Sequence, residues 1–259
     1  MHSSLAPLRT SGVAMHASRR TSPTRPDGSC FRPWIRRAAR AARAACGVWA
    51  VCAGFLIACP AEALTPAVQA ELDRAVAQHR EGRIDQARRA FESLARQGVP
   101  AAWFNLAVMH LEGEMPRASE TEALRLLHRA AAAGFVTAQF ALGQLYESGR
   151  LGKPDLVQSL RWYEVAAEHG SVDAQVAAGT GYFLGRGVGR SMDRAAHWYR
   201  EAAKGGDVGA QYLLASMYEH GDGVDRDLRL ARYWYDIAAR NGDEAAPGKV
   251  RELDERLRP

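Results

Sequence analysis

The sequence predicts an all-α protein, a right-handed α-solenoid of stacked antiparallel helix pairs built from 36-residue repeats. Glycine recurs every 36 residues, an alanine follows each of these glycines four residues later, and the apolar residues between them fall at helical spacing. A fixed period of this length is typical of repeat proteins, because one helix pair cannot bury its apolar face alone and stacked pairs bury it continuously. The recurring glycines are Gly98, Gly134, Gly170, Gly206 and Gly242.

The N-terminal segment differs from the rest of the chain in composition. Residues 1–34 are rich in Ser, Pro, Arg and Thr and lack an apolar period, so we expect a disordered or mis-assigned extension, with Met15 as an alternative start. Residues 35–63 predict a secretory signal peptide, because an arginine-rich stretch precedes 13 apolar residues at 46–58 and small residues follow. That apolar run is shorter than the roughly 20 residues of a membrane helix.

Two processing sites remain open at the end of this segment. The run 61–63 (Ala-Glu-Ala) fits the signal-peptidase pattern and would release a soluble chain that begins at Leu64. The run 56–59 resembles a bacterial lipobox and would place a lipid on Cys59, although Pro60 disfavours this processing. We favour the soluble form and expect a periplasmic or secreted bacterial protein, with a membrane-anchored lipoprotein as the alternative.

Charge and cysteine content exclude two kinds of site from residues 64–259. The chain has 34 basic and 29 acidic residues, and residues 1–63 hold nine Arg and two acids, which leaves 25 basic and 27 acidic residues in 64–259. A surface without net positive charge does not attract a nucleic-acid backbone, so we expect no nucleic-acid partner. All four cysteines precede residue 64, which excludes disulfides and thiolate metal ligands after it.

Each repeat predicts two helices, and the second begins where a side-chain oxygen can accept an orphan N–H. These N-cap residues are Ser119, Asp155, Ser191 and Asp227. The predicted boundaries are 64–99 for a less regular helix pair, 100–135, 136–171, 172–207 and 208–242 for four full repeats, and 243–259 for a C-terminal capping helix. The polar sequence of this last helix suits the end of a solenoid, which needs a soluble cap.

Tryptophan recurs with the same period in the second helices. Trp162, Trp198 and Trp234 are each followed by a tyrosine, and we expect these aromatic pairs to fill the space between helix pairs. Small residues such as Ala138 and Ala174 on the first helices would let the helices approach closely.

These units resemble the Sel-1-like repeat, a relative of the tetratricopeptide repeat. Unit 208–242 has Ala, Leu and Tyr at four-residue intervals, then Gly-x-Gly-Val, then Ala-x-x-Trp-Tyr-x-x-Ala-Ala-x-x-Gly. Unit 100–135 departs most, because His110 replaces Tyr and Leu126 and Leu127 replace Trp and Tyr. Segment 64–99 resembles a tetratricopeptide unit. The resemblance covers roughly three quarters of the chain and implies a helical interaction domain.

The residues predict no catalytic, metal or cofactor site. The glycines of 179–189 end one helix and lead to the next, whereas a dinucleotide fingerprint follows a strand and opens a helix. The histidines after residue 64 lack metal-ligand spacing, and no serine stands in a recognisable nucleophile arrangement. We therefore expect no enzyme, no metal and no cofactor.

The resemblance implies a ligand groove on the first helices, which line the concave face of related solenoids. By the tetratricopeptide pattern, the groove residues are Phe140, Gln144, Glu147, Thr180, Phe183, Tyr212, Ser216 and Glu219. Two alternatives remain open here. The aromatic members also fit a core position, and the polar members also fit an ordinary solvated surface.

We therefore expect a secreted or periplasmic scaffold or adaptor that binds a protein or peptide. Its membrane contact would come only through the signal peptide or a lipid on Cys59. The alternative is an envelope hydrolase acting on β-lactam or cell-wall substrates, which rests on family analogy alone. Family members linked to β-lactam chemistry have a cysteine pair in each repeat, and residues 64–259 have no cysteine.

Overall fold

The computed structural model describes residues 64–150 and 152–258, and within these ranges it contains eleven α-helices and no β-strand. The helices are α1 Pro66–Arg80, α2 Ile84–Arg96, α3 Pro100–Leu111, α4 Glu120–Ala132, α5 Val136–Ser148, α6 Leu156–Glu168, α7 Val172–Leu184, α8 Met192–Lys204, α9 Val208–His220, α10 Leu228–Arg240 and α11 Ala246–Arg256. None of these helices is both long and apolar enough to cross a bilayer. The predictions for 1–34 and 35–63, including a lipid on Cys59, fall outside the described residues.

Consecutive helices pack as pairs, from α1 with α2 to α9 with α10, and each second helix also packs against the first helix of the next pair. The odd-numbered helices α3, α5, α7 and α9 form one layer, whose outer side we call the first-helix face. The even-numbered helices α2 to α10 form the other layer, whose outer side we call the second-helix face. The predicted all-α solenoid with 36-residue repeats is confirmed.

Glycine ends the second helices with one repeated hydrogen-bond motif. Gly170 has a φ of +85° and donates its N–H to the Ala167 carbonyl at 3.0 Å, and Ser171 donates to the Ala166 carbonyl at 3.0 Å. This is the Schellman motif, which satisfies carbonyl groups left open at a helix end. Gly134, Gly206 and Gly242 have the same left-handed conformation.

A second loop glycine is required by a close approach of two backbones. A Cβ added at Gly187 would collide with the carbonyl of Leu156, and one at Gly223 would collide with the carbonyl of Met192. Each loop therefore presses against the first residue of the preceding second helix, where no side chain fits. Glycine at 187 and at 223 is therefore a packing requirement of the repeat.

The predicted N-cap residues all precede their helices. Three of them accept a backbone N–H through the side chain, at 3.3 Å for Ser119, 3.0 Å for Asp155 and 2.8 Å for the shorter bond of Asp227. Ser191 makes no such bond, because its hydroxyl donates to the Asp193 carboxylate instead.

Alanine and leucine are the most frequent core residues, and tyrosine recurs at one fixed core position of the repeat. The recurring alanines at 102, 138, 174, 210 and 246 are fully buried. Tyr163, Tyr199 and Tyr235 are also buried, whereas the tryptophan before each of them is only half-buried. Tyrosine therefore fills the space within each pair. The expectation that these aromatic pairs lie between helix pairs is wrong for the tyrosines, which pack within their own pair, as Tyr163 does against Phe140. Trp162 does contact the preceding pair, with its ring 5.4 Å from that of His128.

A buried side chain ties each first helix to the second helix before it. Gln139, Gln175 and Gln211 each donate from Nε2 to the backbone carbonyl eight residues earlier, at 3.1, 3.2 and 3.1 Å. Trp103 stands at the same position of its unit and donates its indole N–H to the carbonyl of Ala95 at 3.1 Å. The four junctions from α2–α3 to α8–α9 thus share one hydrogen bond at a fixed place, which helps set the stacking of successive pairs.

Candidate functional site

The predicted groove residues lie on α5, α7 and α9, and the structure brings two of them into one cavity. Glu147 of α5 and Thr180 of α7 line a cavity of about 190 Å³ whose floor is α6. Its other lining residues are Leu156, Ser159, Leu160, Tyr163, Ala177, Gly181 and Arg186. Small-molecule sites usually measure about 300–1,000 Å³, so this cavity has the size for one side chain of a partner.

A hydroxyl and a guanidinium hold Glu147 at the edge of this cavity. Tyr163 donates from Oη to the Glu147 carboxylate at 2.7 Å, and Arg186 from the following unit lies 3.0 Å from it. Burial raises the pKa of Tyr163, and its hydrogen bond to the carboxylate raises this pKa further. Tyr163 therefore remains a neutral donor at physiological pH. The Glu147–Arg186 pair is partly exposed, so a charged ligand can compete for either partner at small cost.

Thr180 supplies the polar group on the opposite wall. Its hydroxyl donates to the Val176 carbonyl at 2.8 Å and lies 3.1 Å from Oη of Tyr199. The described lining of the cavity carries three hydroxyl groups, those of Ser159, Tyr163 and Thr180, and one carboxylate, that of Glu147. The cavity therefore combines apolar walls, neutral hydroxyl groups and one ion pair, which can contact a polar or charged side chain.

Gln144 is half-buried and lies three residues before Glu147 on α5. Its Oε1 is buried without a hydrogen-bond partner among the described residues. An unpaired buried acceptor costs a protein about 1–3 kcal/mol of stability.

Two predicted groove residues are buried, contrary to the expectation that they face an open groove. Phe140 is 8% exposed, and its ring lies 5.4 Å from that of Tyr163. Glu219 is 4% exposed because α11 covers it, with Arg256 at 2.9 Å and Lys249 at 3.4 Å from its carboxylate. Phe140 thus occupies the core position left open as an alternative, and Glu219 anchors the C-terminal helix.

The remaining three predicted groove residues are half-buried and lie outside the cavity. Phe183 packs at 6.5 Å from the ring of Tyr199, and Tyr212 packs at 5.0 Å from the ring of Tyr235. Ser216 lies 3.4 Å from Nδ1 of His220 on the same helix. The structure therefore does not join the eight residues into one continuous groove.

A second cleft, which the sequence pattern did not predict, lies on the second-helix face between α2 and α4. Its volume is about 450 Å³, and α3 forms its floor. It is lined by Glu92, Ala95, Arg96, Trp103, Leu106, His110, Met115, Glu122, Arg125, Leu126 and Arg129. The departures of unit 100–135 from the repeat pattern were the signal that could have revealed it. Burial lowers the pKa of His110, so this side chain is neutral near pH 7.

The described part of the chain offers no metal site by composition or placement. Within 64–150 and 152–258, no group of three His, Cys, Asp or Glu side chains is placed to hold a metal ion.

Two solved structures show the same helical repeat. One is a protective antigen of uropathogenic Escherichia coli strains that displays an SLR fold, with 31% identity and a TM-score of 0.63 over 72% of this chain. This chain spans 41% of the length of that antigen. The other is a Sel1 repeat protein from Oxalobacter formigenes, with 26% identity and a TM-score of 0.59, covering 74% of this chain and 89% of the other. Among curated proteins, none matches this chain closely.

The sequence profile of the Sel1 repeat matches four consecutive segments, 100–135, 136–171, 172–207 and 208–243. These segments cover more than half of the sequence and coincide with the pairs α3–α4, α5–α6, α7–α8 and α9–α10. The periodic glycines and the buried tyrosines described above are therefore the features of this repeat, and the chain belongs to the Sel1 repeat family.

Proposed function

We propose that this protein is a non-catalytic adaptor of the bacterial cell envelope, which binds a peptide segment of a partner protein on its first-helix face. Sel1 repeat proteins are generally protein-interaction scaffolds. The observation that supports this face is the cavity between α5 and α7, where Glu147, Thr180 and Arg186 surround a space for one side chain.

The envelope location is proposed from the sequence of residues 35–63, whose basic stretch, short apolar run and small residues fit a secretory signal peptide. Fractionation of cells that produce the full chain tests the location, and the mass of the mature N-terminus separates cleavage after Ala63 from a lipid on Cys59. A chain recovered uncleaved from the cytoplasm would contradict the proposal. No observation favours the hydrolase alternative.

The binding face is tested by photo-crosslinking in cells that make the full chain. A photoreactive amino acid replaces Gln144 in one strain and Glu201, on the second-helix face of α8, in a matched control strain. We expect a discrete crosslinked protein at Gln144, absent at Glu201 and lost when Thr180→Arg fills the cavity. Equal crosslinks at the two positions, or a product that survives Thr180→Arg, would place the partner elsewhere.

A further inference from the structure

We propose that the cleft between α2 and α4 is a docking site for a partner segment that bears an aromatic anchor flanked by acidic residues. This is a second interaction surface, on the layer opposite to the first-helix face. It rests on its own observations and does not depend on the peptide-binding face proposed above.

In the complete repeats, the chain fills the corresponding space with its own aromatic side chains. Between α4 and α6 the rings of Tyr146 and Trp162 both contact His128, at 6.3 and 5.4 Å. The Tyr146 hydroxyl also lies 3.2 Å from Nε2 of His128. In the next two junctions Glu164 and Arg200 stand at the position of His128. Glu164 accepts from Tyr182 and Arg200 donates to Tyr218, at 2.5 and 3.0 Å.

In the first Sel1 repeat the tyrosine and the tryptophan of this filling are replaced, and the ring of Trp103, which stands at the position of Gln139, lines the cleft instead. The 36-residue period places His110 at the position of Tyr146 and Leu126 at the position of Trp162. Both replacements are smaller, and protein interiors are otherwise close-packed, so the lost ring volume leaves the cleft of about 450 Å³ at this junction. Met115, which stands where Gly187 and Gly223 stand in later loops, lines the same cleft.

We expect the aromatic ring of the partner to contact the apolar side chains at the floor of the cleft. Trp103, Leu106, Met115 and Leu126 supply apolar lining, and the complete repeats place an indole at the position of Leu126. A partner that inserts an aromatic side chain would restore the packing that the neighbouring junctions already have. Aromatic anchors seated in such pockets contribute most of the binding energy at many interfaces.

The charges around the cleft favour acidic flanks on the partner. Glu92 is paired with Arg88 at 2.8 Å, and Glu122 is paired with Arg125 at 2.6 Å. By contrast, Arg96 and Arg129 are exposed and form no ion pair within the described residues. The Arg129 guanidinium lies 4.1 Å from the centre of the Trp103 ring, which holds this cation beside the cleft. Two unpaired arginines at the edge attract carboxylates on an approaching segment.

The test uses the full mature chain, recovered from cells, and fluorescence anisotropy of labelled synthetic pentapeptides. The probe is Asp-Glu-Trp-Glu-Asp, and the controls are Asp-Glu-Ala-Glu-Asp and Lys-Lys-Trp-Lys-Lys. We expect the probe to bind at least about tenfold more tightly than either control, since the first control lacks the anchor and the second reverses the charge. Equal binding of the alanine peptide would overturn the proposal.

Variants of the protein separate the cleft from the rest of the surface. Leu126→Trp inserts the residue of the complete repeats, and we expect probe affinity to fall at least about tenfold while the melting temperature does not decrease. If Leu126→Trp fails to fold, the double variant Arg96→Glu with Arg129→Glu replaces it and must shift preference from the acidic to the basic peptide. Thr180→Arg, on the first-helix face, is the matched control and must leave probe binding unchanged. Unaltered binding to Leu126→Trp, or to the double arginine variant, would refute the site.

Discussion

Gly205 has no side chain to make a hydrogen bond that the equivalent residue of the next repeat, Asn241, makes. We predict that Gly205→Asn stabilises the protein. Asn241 donates from its side chain to Oε1 of Gln211 at 2.9 Å. Thirty-six residues earlier Gln175 holds the position of Gln211, and Gly205 stands where the donor would be. The Oε1 of Gln175 is buried and has no hydrogen-bond partner among the described residues. Asparagine at 205 would place an amide donor beside this acceptor.

The expected gain is worked out against Gly205→Ala as the control. A net hydrogen bond stabilises a protein by about 0.5–1.5 kcal/mol, and ordering the asparagine side chain offsets part of this, so we expect Gly205→Asn to exceed Gly205→Ala by about 1 kcal/mol. Both variants share the loss of unfolded-state entropy and the added Cβ. That Cβ would lie 2.5 Å from Cγ2 of Val172, so the Val172 side chain must rotate in both variants.

Urea unfolding followed by circular dichroism measures this difference, with an unchanged m-value as the sign that only stability has changed. For a chain of this length about 1 kcal/mol corresponds to a rise of roughly 2–4 °C in melting temperature. Asn241→Ala is the converse variant, and we expect it to cost about 1–3 kcal/mol because it leaves Oε1 of Gln211 buried and unpaired. Equal stability of Gly205→Asn and Gly205→Ala would refute the reasoning for this junction.

Three further predictions concern the core, a histidine and the C-terminal helix. Tyr199→Ala should cost about 3–5 kcal/mol and Trp198→Ala about 1–2 kcal/mol, because Tyr199 is 2% exposed and Trp198 is half-buried; equal losses in urea melts would contradict this assignment. Burial lowers the pKa of His128, so its neutral form stabilises the fold above its unfolded pKa of about 6.5, and this stability is lost as pH falls below that value. His128→Phe should therefore flatten the decline in stability between about pH 7.5 and 5.5, and an unchanged profile would exclude this origin. Burial alone would raise the pKa of Glu219, but the hydrogen bond from Tyr235 and the nearby cations of α11 lower this pKa overall. The charged carboxylate therefore stabilises the packing of α11, so Glu219→Gln should speed hydrogen exchange in α11 and not in α3.

The fold was predictable from the sequence because the repeat constrains it many times over. Gly170 and its equivalents each adopt a left-handed conformation, and Ala138 and its equivalents each permit a close helix contact. The same glycine and alanine requirements therefore recur at every junction. The relative burial of Trp198 and Tyr199 was not predictable from their spacing. Neighbouring residues on a helix point about 100° apart, and which of two adjacent rings faces the core depends on how the pairs stack.

The site was predictable only in part, because a position in the repeat does not fix its neighbours. Glu147 and Glu219 are equivalent in sequence, and each accepts a hydrogen bond from the tyrosine of its own pair, at 2.7 and 3.0 Å. Glu147 borders the cavity, whereas Glu219 is covered by α11. The difference arises because another full repeat comes after the unit of Glu147, whereas a single helix comes after the unit of Glu219.

The irregular unit supports a functional interpretation because its departures from the pattern meet in space. His110, Met115 and Leu126 lie on a helix, a loop and a second helix, and their side chains line one cleft. A sequence that merely drifted from the repeat pattern would lose packing at scattered places and at a cost in stability. Here the losses coincide beside Arg96 and Arg129, two exposed arginines that make no ion pair within the described residues. Departures from the repeat pattern that cluster at one charged cleft are expected where residues are selected for binding rather than for stability.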